Sequence, residues 1–183
     1  MYYKNRKQVR LEQFSYSMPC QYHVVICTYD LIPHFGMIQD NKMHYSDIGL
    51  AVEKAWQHIY NMYCNVSLDE YSIMPTHIHG IIVIEGAGAY RAKMPSSCKY
   101  SRDDMKEHSP KLVSLADIVR DFKSYTTHNY YAANKQPLWQ RGYYEHIIRS
   151  QAELEKTRDY IIKNIANWKY DEYGNTKNIP GKI

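Results

Sequence analysis

The sequence predicts an α+β domain, and three observations predict it. Short β-branched and apolar runs alternate with segments whose apolar residues recur at helical spacing. Their order reads strand, helix, strand, strand, helix, strand and a closing helix. The densest apolar run, Ile81, Ile82, Val83 and Ile84, suits a buried strand and falls far short of the roughly 20 residues that cross a membrane.

At 183 residues and 44% hydrophobic side chains, the chain reads as a single domain, 1–183, able to bury its own core. Residues 1–20 form a polar, basic segment with no apolar stretch of the kind a secretory leader needs. Gln21–Tyr29, QYHVVICTY, lies between Pro19 and Pro33 and reads as the first buried strand. Ser46 and Asp47 offer an N-cap to a helix with Ile48, Val52, Ala55 or Trp56, Ile59 and Tyr63 on one side, ending near Asn65. Val66–Met74 alternates as a strand, Pro75-Thr76 turns the chain, and His77–Glu85 returns antiparallel to it. Residues 86–111 are rich in Gly, Pro, Ser and Lys and read as a mobile loop.

Ser114 caps a second helix carrying Leu115, Ile118, Val119, Phe122 and Tyr125. Leu138–Arg149 is the fourth strand and Ala152–Trp168 the third helix, whose acidic first turn complements its dipole. Residues 169–183 are a polar tail. This order is that of the ferredoxin-like split arrangement, a βαββαβ antiparallel sheet with helices on one face, here with an additional C-terminal helix. First and third strands are central in such a sheet, so His77–Glu85 is expected to be interior.

A net charge of +4 and a pI near 8.7 permit an anionic partner without requiring one. The 19 tyrosines against three phenylalanines suit surfaces that stack on bases, or simply amphipathic surface. Cys20, Cys27, Cys64 and Cys98 form no C-x-x-C pair and read as reduced packing residues. A soluble, cytoplasmic protein is expected.

The motif that carries chemistry is MPTHIHG, Met74–Gly80. Residues i and i+2 of a strand share a face, so His77 and His79 stand side by side while Ile78 points away. Two readings are open: a two-point metal platform, or two imidazoles hydrogen-bonded to loops at a strand's polar end. In the last helix Tyr160 and Asn164 lie one turn apart, on the flank of a stripe made by Leu154, Ile161, Ile165 and Trp168. An Asn164 carbonyl would complete a His-His-Asn set, which suits Mg²⁺ or Mn²⁺ better than structural zinc. The plainer alternative is an amphipathic ring and a residue at a fraying helix end.

Four stretches together resemble one family. MPTHIHGIIVI resembles the histidine–hydrophobic–histidine signature of the HUH endonucleases. DYIIKNIANW, RKQVRLEQFSYSMPCQYHVVICTYD and LWQRGYYEHIIRS are similar to segments of one branch, the REP-associated tyrosine transposases, relatives of the short insertion-sequence transposases. The resemblance runs from Arg6 to Trp168, with Ile165 where the family usually has proline.

It implies the HUH endonuclease fold, Tyr160 as nucleophile, and His77, His79 and Asn164 as ligands of a divalent metal, Mg or Mn. Asn164 stands where cousins carry glutamine. The implied partner is single-stranded DNA with hairpins, REP-like palindromes, cut through a covalent 5′-phosphotyrosine. A monomer is expected, with a homodimer as the alternative. Other tyrosines that could serve are Tyr125, Tyr130, Tyr131, Tyr143 and Tyr144. Basic side chains placed to grip DNA are Arg6, Lys7 and Arg10 in the opening segment, Arg120 and Lys123 on the second helix, and Arg141 before a turn. His146 either supports the site or packs. The competing readings are a domesticated hairpin-DNA-binding protein and a metal-dependent nuclease in which water attacks.

Overall fold

The computed structural model describes residues 18–63, 65–86, 113–134 and 136–168, without the side chains of 129 and 131–134. Arg6, Lys7 and Arg10, Cys64 and Cys98, nearly all of the 86–111 loop, the Tyr131 side chain and the 169–183 tail lie outside the described residues. The elements are β1 (Cys20–Cys27), β2 (Gly36–Gln39), β3 (Lys42–Tyr45), α1 (Asp47–Met62), β4 (Val66–Met74), β5 (His77–Ile84), α2 (Leu115–Asn134), β6 (Tyr144–Ile148) and α3 (Gln151–Lys163). Four of the strands make one antiparallel sheet in the order β4-β5-β1-β6. The histidine-bearing strand is interior, as the ferredoxin-like reading requires.

Period-2 alternation divides the sheet into two unlike faces. Tyr22, Val24 and Ile26 of β1 and Ile78, Ile82 and Ile84 of β5 pack against α1 and α2 through Val52, Trp56, Ile59, Ile118 and Phe122. Each such side chain, once fully buried, contributes about 1.5–3 kcal/mol. Gly80 belongs to this face for a steric reason. A Cβ there would lie 2.2 Å from Cζ2 of Trp56, so only glycine lets the indole cross β5. On the opposite face a smaller cluster of Ile81, Ile148, Leu154 and Ile161 seats α3.

Two further devices fix α3. Ser150 caps it, its Oγ accepting from the Glu153 N–H at 3.2 Å, while Glu153 accepts from the Arg149 N–H at 2.7 Å. Arg158 donates twice to the Asp69 carboxylate, from Nε at 2.8 Å and Nη2 at 2.5 Å. Asp69 sits where the β4–β5 register slips between Leu68 and Tyr71, so a β-bulge presents that carboxylate to the helix. Arg158 holds the Asp69 carboxyl below its usual 3.8.

The structure departs from the sequence reading in three places. A β2–β3 hairpin stands between β1 and α1, turned by Asp40 and Asn41, both at positive φ (51° and 56°). Such values match a two-residue primed turn. The fourth strand is only Tyr144–Ile148: Leu138–Tyr143 touches the end of β1 through single bonds, such as Tyr29 N–H to Leu138 O at 2.9 Å. The helices end early too, α1 at Met62 and α3 at Lys163.

Candidate active site

The face under α3 is where the polar side chains gather. On β5, His77 and His79 are buried with ring centroids 4.7 Å apart and planes nearly perpendicular. Cross-strand register surrounds them with small or soft neighbours: Met74 and Cys27 flank His77, and Ser72 and Val25 flank His79. Both rings are engaged through the same nitrogen. His77 Nδ1 lies 3.0 Å from Thr76 Oγ1, and His79 Nδ1 lies 3.2 Å from Nε2 of His23. Ring orientation fixed through Nδ1 is the arrangement of metal-binding histidines that ligate through Nε2.

The C-terminal end of α3 covers the pair. The Tyr160 ring meets His79 edge-on at 5.3 Å and His23 at 6.2 Å, yet the side chain remains 46% exposed. Trp168 stacks on His77 at 6.1 Å and 26°. Asn164, four residues from each of these aromatics, caps the helix and is buried, and its Nδ2 has no hydrogen-bond partner among the described residues. A buried amide nitrogen without a partner costs about 1–3 kcal/mol, a cost that a ligand taken up there would offset. Oxygen and nitrogen of an amide exchange by a flip, so that side chain can equally present its oxygen.

These features fit a divalent ion. Among the described residues no three His, Cys, Asp or Glu side chains are grouped to hold one. The Asn164 amide, on the same helix end as Tyr160 and Trp168, is a candidate third donor of another type.

His23 is the residue that the sequence reading missed. It lies on β1, opposite Ile81 and His146, on the α3 side of the sheet. Its ring stacks on His79 at 5.4 Å and 18°. Burial, with His79 and His146 nearby, pulls its pKa down to about 3, so the ring is neutral. QYHVV carries no local motif; the only signal was its parity on a central strand.

The other sequence candidates are distributed as follows. His146 Nε2 lies 2.6 Å from Glu153 Oε1 and ties β6 to α3, at the edge of the site. Tyr144 shares that face, its ring 6.1 Å from His23. Tyr125 stacks on His58 of α1, Tyr130 is buried against His34, and Tyr143 lies 6.0 Å from the Lys123 ammonium. Lys123 donates to the Gln140 and Gly142 carbonyls at 2.8 and 2.7 Å, and burial lowers its pKa to about 8. It fastens that loop to α2. Arg120 is paired with Asp117 at 2.6 Å and Asp121 at 3.2 Å, which offsets its charge. Arg141 is exposed beside that loop.

No family model matches the chain. An uncharacterised protein of Haemophilus influenzae is 31% identical over 170 residues, 92% of each chain. Among solved structures, a REP-associated tyrosine transposase bound to a REP hairpin superposes with a TM-score of 0.56 over 89% of this chain and 77% of its own, at 14% identity. At that identity the likeness is one of fold.

Proposed function

We propose a function from two premises: the chain belongs to one family with the Haemophilus influenzae protein, and it has the fold of a tyrosine transposase. The function is cutting and rejoining single-stranded DNA beside hairpin or palindromic repeats, through a covalent 5′-phosphotyrosine. One observation carries this reading. A half-exposed tyrosine, Tyr160, leans edge-on over the buried His77–His79 pair, with the Asn164 amide one helical turn beyond it.

His77, His79 and Asn164 would hold Mg²⁺ or Mn²⁺. When bound, the ion supplies positive charge for the non-bridging oxygens of one phosphodiester. All three ligands are neutral, so none of that charge is cancelled by the protein. Tyr160, half exposed beside the pair, would attack the phosphodiester in line. Its phenolic oxygen bonds to phosphorus as the bond to the 3′-oxygen breaks, leaving a 5′-phosphotyrosine and a free 3′-hydroxyl. Attack on that phosphotyrosine by another 3′-hydroxyl restores the phenol and joins the new strands. One phosphodiester bond is exchanged for another, so no nucleotide is consumed. Trp168 over His77 and the bidentate Arg158–Asp69 pair keep the tyrosine-bearing helix in place. Exposed basic groups such as Arg141 would contact phosphates, and binding would weaken as salt rises.

The test is a denaturing gel of the full chain with labelled single-stranded DNA from the sequence flanking its gene, and with synthetic hairpins, with and without Mn²⁺. The reading expects a protein–DNA band that survives denaturation and disappears with a chelator. Cleavage with no such band would move the attack to water. Hairpin binding with no cleavage would make the protein a binder that has kept the fold.

A further inference from the structure

We infer that His23 is a positioning residue for His79: its Nε2 accepts the hydrogen on His79 Nδ1 and so keeps the lone pair of His79 on Nε2. This rests on reading His77 and His79 as metal ligands. β1 and β5 are antiparallel neighbours, with His79 opposite Val25 and His23 opposite Ile81, so the two rings are diagonal neighbours on the α3 side. They stack at 18° with the two nitrogens 3.2 Å apart, close enough for one shared hydrogen.

A neutral imidazole carries one hydrogen, so the direction of that bond decides the state of the whole ring. If His23 donates, His79 accepts at Nδ1 and its own hydrogen sits on Nε2, where it blocks a metal. If His79 donates, its Nε2 presents a lone pair. The neighbouring ring points to the second arrangement. His77 is engaged at Nδ1 as well, 3.0 Å from a threonine hydroxyl that can accept. Both histidines are thus held in the same way, with partners able to accept from Nδ1, and a pair of Nε2 ligands follows. His23 sits on a different strand from the H-x-H motif and belongs to no part of it.

The test uses the intact protein, metal-free, with nitrogen-15 labelled histidine. Nitrogen chemical shifts separate the two tautomers, and Mn²⁺ affinity is measured in parallel by electron paramagnetic resonance. The expected result is His79 hydrogenated at Nδ1 in the wild type. H23F, which keeps a ring but cannot accept, should lose that preference and bind Mn²⁺ about 10–100-fold more weakly. H23Q, whose amide oxygen can accept, should recover most of the affinity. A wild-type His79 hydrogenated at Nε2, or H23F binding Mn²⁺ like the wild type, overturns the inference. Should the wild type show the Nδ1 tautomer yet bind no Mn²⁺, the metal reading fails while the hydrogen bond stands.

Discussion

One sheet carries two surfaces with opposite characters, and the same eight residues of β5 supply both. Toward α1 and α2, Ile78, Ile82 and Ile84 join a continuous apolar core around Trp56. Toward α3, His77 and His79 are buried beside Ser72 and His23, under the helix end that carries Tyr160 and Trp168. The first face gives stability from area removed from water. The second holds polar groups away from water, which costs free energy unless they are paired or filled. The two faces divide the labour: the scaffold face meets the cost that the site face imposes, and β-strand alternation keeps the two from interfering.

The largest effects should come from separating the two faces by mutation. Tyr160→Phe should remove the covalent adduct by several orders of magnitude and leave hairpin binding and thermal stability unchanged, since the side chain is half exposed. Trp56→Ala should do the reverse, costing about 3–5 kcal/mol of stability in denaturant unfolding. If Tyr160→Phe unfolded the protein, the division would fail.

Gly80→Ala sharpens the boundary between the faces. The new methyl would meet Trp56 at 2.2 Å, so about 1–3 kcal/mol should be lost, with the neighbouring His79 still able to bind metal once folded. Calorimetry and Mn²⁺ titration read the two arms separately.

Asn164→Ala tests the site face in the opposite sense. It removes a buried amide whose Nδ2 lacks a partner among the described residues, so stability should hold or rise by up to about 1 kcal/mol. Mn²⁺ affinity should fall about tenfold or more. A clear loss of stability instead would make Asn164 part of the scaffold.

The smallest effect concerns the tie that docks α3. Arg158 depresses the Asp69 carboxyl below 3.8, so the unfolded chain takes up its proton first as pH falls. The stabilisation is therefore complete above about pH 5 and is lost as pH drops through the lower folded value. The pair is partly exposed, so the change is modest. In Asp69→Asn the acid limb of a melting-temperature profile should be shallower below the usual carboxylate range.

How much of this was legible beforehand follows the same division. HIHGIIVIE announces its own faces, because alternation is local: His77 and His79 had to share a side, and Ile78 had to oppose them. The Tyr160–Asn164 spacing was equally readable from the helical period. Gly80 was legible only as a glycine, since its reason is an indole 24 residues earlier. The β2–β3 hairpin was missed because its strands have four residues each, too few to show a period. That the Lys123 ammonium meets two backbone carbonyls was not legible, because Gln140 and Gly142 lie 17 and 19 residues further along the chain. His23 was missed because its meaning comes from register between strands separated by more than fifty residues.

The most direct measurement maps the covalent link itself. The protein is reacted with its flanking hairpin DNA and Mn²⁺, digested with trypsin and nuclease, and the nucleotide-bearing peptide is sequenced by mass spectrometry. Tyr144 is the informative competitor, because it lies on the same face with its ring 6.1 Å from His23. One modified peptide is expected, carrying the nucleotide on Tyr160. A nucleotide on Tyr144, or cleaved DNA with no modified peptide at all, would contradict it.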